Sequence, residues 1–222
     1  MTYVNPPMIS RFLKKHFRLG LPVLILMSAL AACSGKKYEA IPVGAKVLVI
    51  GDSITAGYGL SPEQAWTTTL AAETGWQVIN AGVNGDTTAG GSERLPALLD
   101  EHQPLAVIVE LGGNDMLRRQ SPASIVANLE TMIGEIRRRG SRPILMAVPR
   151  PNIAGVVFAS LSDAPLYAGM ARERNIPVIE DILSSTLSKP QLKLDELHPN
   201  SEGHRQIGKE VSSALRKQGL VR

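Results

Sequence analysis

The sequence predicts an α/β fold, a three-layer α/β/α sandwich around a five-stranded parallel sheet, and three observations predict it. Short apolar runs recur along the chain, amphipathic helical stretches alternate with them, and the helices carry start and stop residues at the ends where their geometry needs them. With 222 residues, 44% hydrophobic and 20% charged, the chain has the balance of an ordinary globular protein with a single domain.

The runs are "KVLVI" at 46–50, "WQVIN" at 76–80, "LAVIVEL" at 105–111, "RPILMAV" at 142–148 and "IPVIE" at 176–180. Continuous apolar runs, rather than alternating ones, suit strands covered on both faces, as a parallel sheet between helical layers requires. The helix after the first run is expected to begin at the N-cap Ser61 with Pro62 in its first turn, and to stop at Gly75. Another opens on Ser121 and Pro122, places Ile125, Leu129, Ile133 and Ile136 on one face, and ends in arginines and Gly140. Right-handed crossovers then bring the loops that leave the strands' carboxyl ends to one edge, where such sheets build their sites.

The first 45 residues read differently. Arg11, Lys14, Lys15 and Arg18 are the only charges among residues 1–32, which leaves 20 bases against 20 acids in the remainder. A neutral body gives no electrostatic case for binding nucleic acid. The basic stretch, the apolar "LPVLILMSAL" and the small residues after it have the layout of an export signal over residues 1–32. Leu21 to Cys33 spans only 13 residues, short of the roughly 20 that a membrane span needs. "LAAC" resembles a bacterial lipobox, so Cys33, the only cysteine, is expected to carry a lipid, and Ser34 after it favours the outer membrane. A cut after "ALA" at 29–31 would instead release a soluble periplasmic protein. Residues 33–45, polar and broken by Gly and Pro, are expected to tether the anchor to a domain at 46–222.

Four blocks on the active edge carry chemistry: "GDSITAG" at 51–57, "NGDTT" at 84–88, "GGND" at 112–115 and "DELHPN" at 195–200. The first fits neither glycine-rich nucleotide fingerprint, and no lysine follows to meet a phosphate. Ser53 is a candidate nucleophile, which needs a base and a group to hold that base. Among the four histidines, His16 leaves with the signal, His102 ends a polar helix, and His204 is expected on the surface of the last helix. His198 lies three residues after Asp195 on a loop fixed by Pro199 and Asn200, so the carboxylate can accept from Nδ1 while Nε2 faces a serine. Gly85, through an unobstructed N–H, and Asn114, through its amide, are candidate oxyanion donors, with Gly82 a nearby competitor. Taken singly, each block is also ordinary turn composition.

Together and in this order, the blocks resemble those of the GDSL or SGNH hydrolase family, closest to its bacterial thioesterase, arylesterase and lysophospholipase branch, over roughly residues 46–215. The resemblance implies a flavodoxin-like SGNH hydrolase fold and a serine ester hydrolase that needs no metal or cofactor. Its roles would fall on Ser53 as nucleophile, His198 as base, Asp195 as its orienter, and the N–H groups of Ser53 and Gly85 with Asn114 as oxyanion donors. Ile54 stands where the family's name has leucine, and residues 149–163 do not follow that branch. The expected partners are a small acyl-ester or lysophospholipid substrate and, through the lipid on Cys33, a membrane; the protein is expected to be monomeric. Two alternatives are an O-acetylesterase of glycans or peptidoglycan and a non-catalytic binding module. The apolar side chains Ile153, Val156, Val157, Phe158 and Leu161 favour an acyl groove.

Overall fold

The computed structural model describes residues 1–3, 38–151 and 160–222. Residues 4–32 of the expected export signal and Cys33 lie outside the described residues, as do Ile153, Val156, Val157 and Phe158. Among the described residues no helix is long and apolar enough to cross a membrane.

The five apolar runs form β1 (Lys46–Gly51), β2 (Gln77–Gly82), β3 (Ala106–Glu110), β4 (Arg142–Met146) and β5 (Val178–Ile179). All pair in parallel, in the order β2-β1-β3-β4-β5. The central strands are inaccessible to solvent from Val47 to Ile50 and from Ala106 to Val109, as their unbroken apolar runs require. β2 departs from that expectation. It is an edge strand, half-buried along its length, because only β1 flanks it.

Among the described residues the α-helices are α1 (Ser53–Ala56), α2 (Trp66–Thr74), α3 (Thr88–His102), α4 (Gly113–Leu117), α5 (Pro122–Arg138), α6 (Leu166–Arg174), α7 (Ile182–Leu187) and α8 (Ser201–Lys217). They cover both faces of the sheet: α2 packs on α8, and α3 on α5. α5 follows its sequence grammar, with the Ser121 hydroxyl accepting from Ser124 N–H and the Ile125, Leu129, Ile133 and Ile136 stripe buried. Each buried aliphatic side chain of that stripe contributes about 1.5–3 kcal/mol.

The helix expected from Ser61 to Gly75 is broken. Residues Pro62–Gln64 form one 3₁₀ turn under Ser61, Ala65 is extended, and α2 starts only at Trp66. Gly75 does end it, in the left-handed conformation. α2 therefore starts without a side chain of its own to cap it. His204, from α8, supplies the cap: its Nδ1 accepts the orphan Trp66 N–H at 3.2 Å. This overturns the surface expectation for His204, which is fully buried because it shares the inner face of α8 with Ile207 and Val211. Burial pushes its imidazole down to about 4, so it remains neutral.

The described part of the expected tether is not free. Tyr38 N–H donates to Gln218 O and Ile41 N–H to Leu220 O, Ile41 is 2% exposed, and Trp76 Nε1 donates to Ile41 O. The packed body therefore already includes Tyr38 and Ile41, ahead of the expected boundary at 46. An isolated apolar side chain in that polar stretch gave little periodicity from which to read its docking.

Candidate active site

The chain leaves β1 toward β2 on one side and later returns to place β3 on the other. The crevice between the carboxyl ends of β1 and β3 is thus the switch point of the sheet. β1 delivers the Ser53 block there, β3 the Asn114 block, and β2 the Gly85 block.

Immediately after β1 the chain turns sharply into the four-residue α1. Asp52 is its N-cap and its Oδ1 accepts Ile54 N–H at 2.9 Å. Ser53 thereby sits, half-buried, at the first position of the helix. The turn needs glycine around it. A Cβ on Gly51 would lie 2.2 Å from Thr55 Oγ1, and one on Gly82 would lie 2.1 Å from the Ala56 nitrogen. Gly82 is therefore the site where β2 lets α1 approach. Gly85 differs: its φ of +74° requires the left-handed region, a Cβ there would have space, and the residue lines the cleft.

The structure brings Ser53, His198 and Asp195 together across 145 residues of chain. Ser53 Oγ lies 3.0 Å from His198 Nε2, and His198 Nδ1 lies 2.8 Å from Asp195 Oδ2. Asp195 Oδ1 also accepts the backbone N–H groups of Leu197 and His198, each at 2.8 Å. Partial burial alone would raise the Asp195 carboxyl. The hydrogen bonds from His198 and the two backbone groups outweigh it and hold the group below the usual carboxylate range. An ionised carboxylate there fixes the proton on Nδ1 and leaves Nε2 free to accept from the serine.

Asn114 lies in the first turn of α4 and lines the same cleft, its Nδ2 donating to Asp52 Oδ2 at 3.1 Å. Asp52 thus ties the Ser53 turn to the asparagine. It is 4% exposed, and burial pushes its carboxyl up from 3.8 to about 6. Beneath it, Glu110 is wholly buried and accepts from Thr55 Oγ1 at 2.7 Å. Burial first, then the neighbouring Asp52 carboxylate, raises Glu110 well above the usual range, so it carries its proton. The Gly112–Gly113 turn is pinned by Tyr167, whose hydroxyl donates to Leu111 O at 2.7 Å.

The Gly85 loop is held from three directions. Arg94 donates to Asp86 Oδ2, to Ala81 O and to Gly51 O. Asp115 accepts from both the backbone and the hydroxyl of Thr88, at 2.9 and 2.6 Å. Arg118 donates to Gly85 O at 2.9 Å. Sequence reasoning missed Arg94, Asp115 and Glu110, because nothing local distinguishes them from helix-surface or strand-end residues. It placed Asp52 only as a turn acid.

These residues open onto a cleft of about 770 Å³. Its walls include Met116, Leu117, Val148, Leu161, Leu187 and Leu197, so Leu161 of the expected apolar segment does reach it. The segment's base is clamped by Arg150 N–H on Ser162 O and Ala164 N–H on Val148 O. Among the described residues no group of three His, Cys, Asp or Glu side chains is placed to hold a metal.

Residues 49–206 match the GDSL-like lipase/acylhydrolase family. Over 161 residues the chain is 36% identical to thioesterase 1/protease 1/lysophospholipase L1 of Escherichia coli (strain K12), covering 70% of this chain and 76% of that protein. An arylesterase of Vibrio mimicus is 35% identical over 178 residues, 78% of this chain and 88% of its own. Among solved structures, the psychrotrophic esterase EstA from Pseudoalteromonas sp., inhibited by monoethylphosphonate, superposes with a TM-score of 0.69 at 27% identity, covering 78% of this chain and 97% of that one. The chain belongs to the GDSL-like lipase/acylhydrolase family. It is a serine ester hydrolase with the α/β fold of its SGNH relatives.

Proposed function

We propose that Ser53 attacks carboxylic esters, with His198 as general base and acid and Asp195 holding the imidazole. The observation that carries this reading is the continuous chain of hydrogen-bond distances from Ser53 Oγ through His198 to Asp195. As Ser53 Oγ bonds to the acyl carbon, its proton moves to His198 Nε2. The carbonyl π pair moves onto oxygen, which is met by the N–H groups of Ser53 and Gly85 and by Asn114 Nδ2. Collapse breaks the bond to the leaving oxygen, or sulfur in a thioester, and that atom takes the proton from His198. Water then loses a proton to His198 and adds to the acyl carbon. The second collapse returns Ser53 its proton and releases the carboxylic acid. Asp195 keeps its charge throughout and stabilises the imidazolium.

The apolar cleft favours a substrate with an acyl chain, such as a lysophospholipid, over an acetylated sugar, which needs hydrogen-bonding walls. The basic and apolar start of the chain and the lipobox at Cys33 support export and attachment by a lipid to the outer membrane, facing the periplasm. Ser53→Ala tests the mechanism. The variant should unfold like the parent, lose ester turnover and fail to label with a fluorophosphonate. Turnover at the parental rate would remove Ser53 from the chemistry.

A further inference from the structure

One side chain at the site is not used by the mechanism above. Tyr58 stacks on His198 with ring centroids 4.3 Å apart and planes 29° from parallel. It is 45% exposed, unusual for an aromatic ring held in so fixed a place. Its backbone explains the placement. Tyr58 N–H and Gly57 N–H both donate to Ser53 O, closing α1, and the glycines on either side, Gly57 and Gly59, have φ of +79° and +75°. Side chains rarely adopt that conformation, so two successive glycine kinks aim the ring between them. Gly59 also leaves room for Leu194, whose Cδ2 would lie 2.7 Å from a Cβ there. The nucleophile turn and the His198 loop therefore meet twice, at Tyr58 on His198 and at Gly59 on Leu194.

We propose that Tyr58 is a positioning residue for His198: its ring holds the imidazole over the serine and stabilises the imidazolium that forms in both acyl-transfer steps. The proposal rests on the Ser53–His198 reading. A cation within about 6 Å of an aromatic face is attracted by the ring quadrupole, and more strongly than the neutral imidazole is. The interaction therefore strengthens in the transition state and should act on kcat rather than on binding. Asp195 meets the imidazole at Nδ1 and Ser53 at Nε2, both at the ring's edge, so Tyr58 supplies a face contact that neither of them provides.

Because Tyr58 also lines the cleft, its effect on the base must be separated from contact with substrate. Tyr58→Phe and Tyr58→Leu are compared on p-nitrophenyl acetate, butyrate and octanoate. Phe keeps the ring and should stay within about twofold of the parent. Leu keeps apolar bulk without the quadrupole, and should lose about tenfold in kcat with KM unchanged, equally on all three esters. Equal loss in the two variants would assign the effect to the hydroxyl and overturn the proposal. So would a loss that grows with chain length or sits in KM, since that marks a substrate contact, and so would an unchanged Leu variant. Complete fluorophosphonate labelling of each Tyr58 variant, beside unlabelled Ser53→Ala, shows the nucleophile intact. An unlabelled parent, or a labelled Ser53→Ala, would instead sink the serine mechanism, and an unlabelled Tyr58 variant with a labelled parent would overturn the positioning role by showing that the ring is needed for the site's integrity.

Discussion

Replacing Asp52 with asparagine should make the protein more stable and less active at the same time. Asp52 is 4% exposed, and burial raises its carboxyl from 3.8 to about 6. The folded protein therefore holds this proton more tightly than the unfolded chain. The stability linked to it is fully present below about pH 3.8 and is lost as pH rises through about 6. Above that range the buried carboxylate costs about 3 kcal/mol relative to a neutral group. Asparagine removes the charge and can keep its Oδ1 on Ile54 N–H. Asp52→Asn should therefore be more stable than the parent by up to about 3 kcal/mol at pH 8, with the gap about 1.4 kcal/mol smaller at pH 5. The gain should come at the expense of turnover. Asp52 Oδ2 now accepts from Asn114 Nδ2, whereas the new amide would place a donor against a donor. Relief comes by turning the Asn114 amide over, which points a carbonyl oxygen where the proposed oxyanion develops. A lost oxyanion donor costs on the order of a hundredfold to a thousandfold in kcat. Urea unfolding at pH 8 and pH 5, followed by the fluorescence of buried Trp66 and Trp76, reads the first effect; p-nitrophenyl butyrate kinetics read the second. A variant less stable than the parent at pH 8, or a gap that does not change with pH, would refute the burial argument. An unchanged kcat would refute the hold on Asn114.

Two glycines of the site should respond differently. In Gly82→Ala the new methyl meets the Ala56 backbone at 2.1 Å, so α1 must move: a loss of about 1–3 kcal/mol in thermal or urea unfolding, with a larger fall in kcat, is expected. Gly85→Ala has room and should cost only about 1–2 kcal/mol, from its left-handed backbone. Mass spectrometry of the membrane-extracted protein should find a mature N-terminus at Cys33 carrying diacylglycerol. A chain starting at Ala32 and recovered from the soluble fraction would show the alternative cut instead.

How much of this was legible in the sequence follows from the range of each interaction. β1 and β3 could be read because their residues are covered from Val47 to Gly51 and from Ala106 to Glu110, so a continuous apolar run is required wherever the strand lies. The edge position of β2 could not, since exposure depends on which strand lands beside it. α5 announced itself through Ser121, its stripe and Gly140, all local signals. The break at Ala65 did not, because the cap on α2 comes from His204, 138 residues away. The same distance made His204 look like a surface group: its burial depends on the packing of α8 against α2.

By itself the sequence determined the alternation of strands and helices, the edge at which the four blocks meet, and the residue types able to form a serine hydrolase site. These depend on periodicity, turn chemistry and the one-way geometry of parallel crossovers, which act over a few residues or through topology alone. Only the tertiary structure decided that Asp52 ties α1 to Asn114, that Arg94 and Asp115 hold the Gly85 loop, and that Tyr58 lies on His198. Those contacts are fixed by approaches of a few ångströms between segments distant in sequence, and no spacing along the chain encodes them.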